Sequence, residues 1–183
     1  MAGESTTGAA VFQLVRELDA GALFARIERP IGAQQTAGAL LDTLAIDGAE
    51  LLLNVVDSIA DGTARPHPQV GEVTVAPKLS LSDGEVQWQR PASSVFAQIR
   101  GVTPEPGAFS ILDGVRLKIL EAAIADGAVG IPPGEFRRIG KAVLVGTMTD
   151  PIELVTVHPA GKRAMSAADW WRGRPSPSTM VAQ

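Results

Sequence analysis

Residues 108–120 read Ala-Phe-Ser-Ile-Leu-Asp-Gly-Val-Arg-Leu-Lys-Ile-Leu, and they decide how the second half of the chain folds. Ala108–Leu112 and Val115–Leu120 are strand-like runs. Between them stands Asp113-Gly114, the kind of pair that tight hairpins favour because their central residues need φ above zero. Further strand-like runs follow at Phe136–Ile139, Ala142–Thr147 and Ile152–Val157. On the near side, Pro91 opens a short helix through Ile99, which Gly101 and Pro104 stop. On the far side, Ser166 and Asp169 form a capping-box-like start for a last helix through Trp170 and Trp171, with Asp in place of Glu or Gln. Neighbouring tryptophans on so short a helix are expected to leave one exposed. The Pro/Ser-rich tail from Pro175 is expected to fray.

Several short strands after a helix predict a small OB-like antiparallel β-barrel over residues 85–174, with 175–183 as its tail. Working backwards, residues 63–84 carry Pro66, Pro68, Pro77, Gly71 and Gly84 and read as a linker. Residues 1–62 read differently. Residues 9–15 and 22–28 are two short strands joined by turn chemistry at Leu18-Asp19-Ala20-Gly21. Thr36 caps a helix with Leu40, Leu41, Leu44 and Ala45 at helical spacing, and Asp47-Gly48 is expected to end it. A second helix follows with Leu51, Leu52, Val55, Val56 and Ile59, closed by Asp61-Gly62. Both have wide apolar faces, and nothing else in residues 1–62 is large enough to cover them. The fold class is therefore α+β: an incomplete α/β layer, a linker and a barrel.

Hydrophobic residues make up 45% of the 183, enough for a globular core. No apolar stretch approaches the roughly 20 residues that span a bilayer, and residues 1–30 have no signal-peptide pattern. The chain has no cysteine, which excludes disulfides and thiolate metal sites and fits a cytoplasmic protein. The net charge of −4 argues against a nucleic-acid binder, but it conceals a split. Residues 1–84 sum to −6 and residues 85–183 to +2, an asymmetry that hints at a polyanion-facing second half.

Short motifs then occur in order. Glu17-Leu18-Asp19-Ala20-Gly21 is followed by Ala60-Asp61-Gly62-Thr63-Ala64 with Pro68-Gln69, then Ala76-Pro77-Lys78-Leu79 and Val86-Gln87-Trp88. Next come Ile99-Arg100-Gly101-Val102-Thr103-Pro104-Glu105-Pro106-Gly107-Ala108 and Pro159-Ala160-Gly161-Lys162-Arg163-Ala164-Met165. In this order and spacing they resemble the methionyl-tRNA formyltransferase family. They correspond to its "LD-small-G" turn, end-of-domain signature, linker, second-domain entry, "IR-x-x-x-P-x-P-G-A" element and closing "PAGKxxM" loop.

The resemblance implies that residues 1–62 are the remnant of a Rossmann-like α/β formyltransferase domain. It also implies transfer of a formyl group from 10-formyltetrahydrofolate to methionyl initiator tRNA, without a metal. In the family an Asn, a His and an Asp gather at the site. The amine must be deprotonated to attack, and the oxyanion that forms must be stabilised. By motif Asp19 is the catalytic Asp; read from the residues alone it is a turn residue. No "H-x-SLLP" segment exists in this sequence, so the Asn and His partners and most of the folate pocket are expected to be absent and the chain alone inactive. His67 reads as a linker residue and His158 as a strand end. The expected tRNA contacts are Lys78, Arg137, Arg138, Lys141, Lys162 and Arg163, each equally a solvated surface cation. Arg100 reads as a packing residue or an RNA contact, and Trp88 as an anchor of the domain junction or a stacking platform. The leading reading is a truncated or split enzyme whose expected partner is a missing N-terminal segment; the alternatives are a non-catalytic RNA-binding module, a fragment of a formyltransferase acting on an amino sugar, and a misassigned start giving a chain that does not fold alone.

Overall fold

A computed structural model describes all residues except 126, 128, 129, 175–178 and 183. The chain divides into two compact units, Glu4–Lys78 and Leu79–Gln183, the latter together with Met1–Gly3.

In the first unit β1 (Thr6–Phe12) pairs antiparallel with β2 (Leu23–Pro30), each displaced by a few residues from the run expected for it. Thr7 faces Arg29, Ala9 faces Ile27 and Val11 faces Ala25 across the ladder. Side chains alternate along a strand, so these six share one face of the hairpin. Against the hairpin lies a single helix α1 (Ala37–Ala60), capped by the Thr36 hydroxyl, which accepts from the Ala39 amide at 3.3 Å.

The break expected at Asp47-Gly48 does not occur. A Cβ on Gly48 would sit 3.8 Å from that of Ala9, which is ordinary contact, and the backbone there has no positive φ. Asp47 accepts from Arg29 Nε at 2.6 Å. Both residues belong to the hairpin-facing side of a continuous helix, where tertiary packing outweighs the roughly 1 kcal/mol that glycine costs relative to alanine. Ala37, Leu40, Leu44, Leu51 and Val55 continue that side at helical spacing. A stripe flanking that side carries Leu41, Leu52, Val56 and Ile59, which remain between 50% and 65% exposed.

The second unit opens with a 3-10 turn (Leu81–Gly84) and α2 (Ala92–Gly101). Buried Gln98 ties them together: its Nε2 donates to the Asp83 and Glu85 carbonyls, and its Oε1 accepts from the Gln87 amide. Next come β3 (Ala108–Leu112), β4 (Val115–Ile124), β5 (Glu135–Ile139), β6 (Ala142–Val145), β7 (Ile152–Pro159), β8 (Met165–Ser166), α3 (Ala167–Arg172) and β9 (Thr179–Val181). Asp113 and Gly114 both take positive φ (51° and 74°), as the hairpin between β3 and β4 requires.

The strand order is β3-β4-β7-β6-β5-β9, with β8 on β7. The expected barrel does not close: among the described residues β3 and β9 do not pair, and the sheet is open. Glu85 instead bridges Phe109 at the free side of β3. Helices α2 and α3 pack on the sheet and complete the core.

Trp170 and Trp171 are both buried, against the expectation that one would be exposed. Trp170 meets Phe136 edge-on at 6.4 Å, and Trp171 meets Trp170 at 5.9 Å, so the pair occupies two sides of one aromatic cluster. Trp88 extends the cluster at 5.8 Å from Phe136 and donates from Nε1 to Ser110 Oγ at 2.7 Å. It is a core anchor of this unit and offers no open ring for stacking. Within the expected tail, Thr179–Val181 lies on β5 and Met180 is buried; residues 175–178 and 183 lie outside the described residues.

Candidate functional site

The β1–β2 connection carries Asp19 in the left-handed region, φ 53°. Asp tolerates this conformation better than most non-glycine residues. Gly21, two residues on, is buried, and a Cβ there would fall 1.7 Å from the Gln13 carbonyl oxygen. Only glycine fits. The ladder therefore closes tightly below the turn, where the Gln13 amide donates to Ala22 O at 2.9 Å.

A distant segment secures the turn. The backbones of His67 and Leu23 exchange hydrogen bonds of 2.8 Å, which brings Pro68 and Gln69 alongside. Gln69 Nε2 then donates to Asp19 O at 2.6 Å and to Gly21 O at 2.8 Å. Gln69 fixes the backbone of the turn while the Asp19 carboxylate points to solvent, without a hydrogen bond from any described residue. Gln69 belongs to the Pro68-Gln69 motif, but a contact across some fifty positions leaves no local trace in the sequence.

The expected histidine partner is not supplied by either histidine of the chain. His67 acts through its backbone, and its side chain is exposed. His158, in the other unit, has Nε2 at 2.7 Å from Lys162 O, which ties the closing loop to β7.

The expected RNA contacts lie on several elements. Lys78 ends the first unit and is exposed. Arg137 and Arg138 follow one another on β5, so the strand's alternation sends them to opposite faces. Arg137 is paired with Glu135 (Nη2–Oε1 2.5 Å), which neutralises much of its outward field. Arg138 donates from Nε to Gly140 O at 2.9 Å, and Lys141 is exposed on the β5–β6 turn. Lys162 and Arg163 are exposed on the closing loop. Arg100 lies over the Phe96 ring at 5.0 Å, as its packing reading requires. Among the described residues no three His, Cys, Asp or Glu side chains gather as metal ligands, and no helix is long and apolar enough to cross a membrane.

Carboxylates elsewhere are held in their charged forms by close donors. The Ser80 hydroxyl and amide hold Asp83 below its usual range. The Ser166 and Arg172 side chains do the same for Asp169, and Ser166 Oγ also accepts from the Asp169 amide to cap α3.

Residues 78–175 match the family described as "Formyl transferase, C-terminal domain". The chain belongs to this family. The wider resemblance read from its motifs also stands: the chain is 56% identical to a methionyl-tRNA formyltransferase of Clavibacter michiganensis over 173 residues. That alignment takes in 94% of this chain and 57% of the relative, so the chain spans a little over half the length of the relatives it matches. Among solved structures it is similar to HypX from Aquifex aeolicus in complex with tetrahydrofolic acid. The TM-score is 0.69 at 21% identity, over 92% of this chain and 30% of that one. A methionyl-tRNA formyltransferase from Clostridium thermocellum matches with a TM-score of 0.53 at 19% identity, over 69% of this chain and 54% of that one. At those identities the two structures speak for the fold alone.

Proposed function

We propose that this chain is the Asp19-bearing end of the catalytic domain and the tRNA-facing domain of a methionyl-tRNA formyltransferase. The reaction of the whole enzyme moves a formyl group from 10-formyltetrahydrofolate to the amino group of methionyl initiator tRNA. The observation that carries this reading is identity above one-half to such an enzyme along nearly the whole chain, with the Asp19 turn and the closing loop both inside it. A folate co-substrate fits the family and the folate-bound neighbour. In this reading residues 1–62 belong to a Rossmann-like domain, residues 85–174 form an opened OB-like barrel, and the protein works in the cytoplasm.

Within that reaction the chain's own part is positional. The Gln69 clamp presents the Asp19 carboxylate, which would accept from an imidazole N–H and set which ring nitrogen takes the proton of the attacking amine. Lys78, Arg138, Lys141, Lys162 and Arg163 would meet RNA phosphates. Arg137 would do so only by giving up Glu135.

The test pairs the purified chain with a polypeptide that carries the family's Asn and its "H-x-SLLP" segment, and follows formylation of methionyl-tRNA. The chain alone should be inactive and the pair active, and Asp19→Asn should lower the rate of the pair by about 10²- to 10⁴-fold. Turnover by the chain alone, or full activity with Asp19→Asn, refutes the reading.

A further inference from the structure

At one end of the second unit, the β3–β4 turn, the loop after β7 and the end of α3 enclose a cleft of about 270 Å³. Register puts them there: Leu117, just past the turn, pairs with Pro159, where the loop begins. Arg116, Lys162 and Arg174 line the cleft with a single acid, Asp113. None of the motifs points to Arg116 or Arg174.

The two arginines are held in the same manner. The Arg116 guanidinium lies 4.3 Å from the centre of the Phe109 ring, and that of Arg174 lies 5.3 Å from the Trp170 ring. Stacking uses the flat face of a guanidinium and leaves its in-plane N–H groups free to grip an anion from the edge. It also restrains a side chain that would otherwise lose rotamer freedom on binding. Arg116 makes no ion pair with a described residue. Arg174 already holds one anion: its Nη2 is 2.6 Å from Asp113 Oδ2, and the Asp113 side chain is 74% exposed. An exposed carboxylate on a stacked, half-buried arginine marks where an incoming anion would bind and what it must displace.

We propose that this cleft seats backbone phosphates of RNA, gripped by Arg116, Lys162 and Arg174, with Asp113 as a built-in competitor that keeps Arg174 in place until RNA arrives. This rests on the tRNA-binding reading above and gives it a location that the expected contacts on β5 do not. RNA is favoured over an acidic peptide because three cations against one acid suit a run of closely spaced single charges, and because flat guanidinium edges match phosphate oxygens.

The experiment measures binding of labelled initiator tRNA to the full 183-residue chain as salt rises from about 50 to 200 mM. The pair Arg116→Gln with Arg174→Gln should lower the log–log salt slope by about 1.5 to 2 and weaken low-salt binding by at least about tenfold. Asp113→Asn keeps a residue tolerant of positive φ and should bind severalfold more tightly, a gain that misfolding cannot produce. A wild-type slope in the arginine pair overturns the cleft and leaves the tRNA reading intact. Loss in the arginine pair without a gain in Asp113→Asn also overturns it. If the unaltered chain binds no tRNA at low salt, the tRNA reading fails and takes the cleft with it. Displacement of the Asp113–Arg174 pair by inorganic phosphate, seen by NMR, while RNA binding ignores the arginine variants, overturns the RNA assignment in favour of a free phosphate.

Discussion

Replacing Gln69 by leucine removes the two donors that hold the Asp19 turn, those at 2.6 Å to Asp19 O and 2.8 Å to Gly21 O. A hydrogen bond contributes about 0.5–1.5 kcal/mol net, and Gln69 is exposed, so water partly replaces it and the lower half of that range applies. Both bonds together then contribute about 1–2 kcal/mol to keeping the turn closed, a factor of roughly 5–30 in its opening equilibrium. Native-state hydrogen exchange reads this directly. The amides of Gln13, Leu23 and His67 donate to Ala22 O, His67 O and Leu23 O, and each should exchange roughly 5- to 30-fold faster in Gln69→Leu. Amides of β4 and β7 in the other unit should not change. Gln69→Glu sharpens the test, since a carboxylate of the same length offers no donor to the two carbonyl oxygens and should open the turn at least as far. If either variant leaves those amides at wild-type rates, the clamp is not what holds Asp19 in place.

Three further outcomes follow from the packing. Gly48→Ala should stabilise the first unit by up to about 1 kcal/mol in urea unfolding, because α1 is continuous there and the new methyl meets Ala9 at 3.8 Å; destabilisation would mean that the helix breaks. Trp88→Phe and Ser110→Ala should each cost about 1–3 kcal/mol through the orphaned partner of their buried hydrogen bond, and the double variant should cost at least about 1 kcal/mol less than the sum; strict additivity would refute the coupling. Asp83 is held below its ordinary value of 3.8 by Ser80, so the stability it adds is present at neutral pH and disappears as pH falls through its folded value. The gap in Tm between wild type and Asp83→Asn should therefore close below about pH 4, and a constant gap down to pH 2 would contradict the cap.

What could be read in advance was local. The Asp113-Gly114 turn has its signature in two adjacent residues, and the structure repeats it as two consecutive positive φ angles. The Ser166 cap of α3 is a three-residue relation and was equally legible. Asp47-Gly48 misled because the same pair ends one helix and passes through another; the difference is Ala9 and Arg29, which sit on strands of the neighbouring hairpin. Trp170 and Trp171 misled because their burial draws on a distant partner: Trp170 meets Phe136, 34 positions away, and Trp171 meets Trp170. The candidate site follows the same division. A motif singles out Asp19, but nothing in the sequence ties Gln69 to its turn. The cations can be counted in the sequence but not placed: the pairing of Arg137 with Glu135, and the meeting of Arg116 and Arg174 at one cleft, appear only in the structure.

The solvent-facing side of α1 has a thermodynamic consequence. Leu41, Leu52, Val56 and Ile59 are half or more exposed on a helix whose hairpin-facing side is already packed. Any polypeptide that covers them behaves as a ligand of the native state and raises its stability in proportion to the logarithm of the ligand's concentration. Were a second copy to cover them, the melting temperature of the purified protein would rise with its concentration, and a dilution series would be a titration of α1.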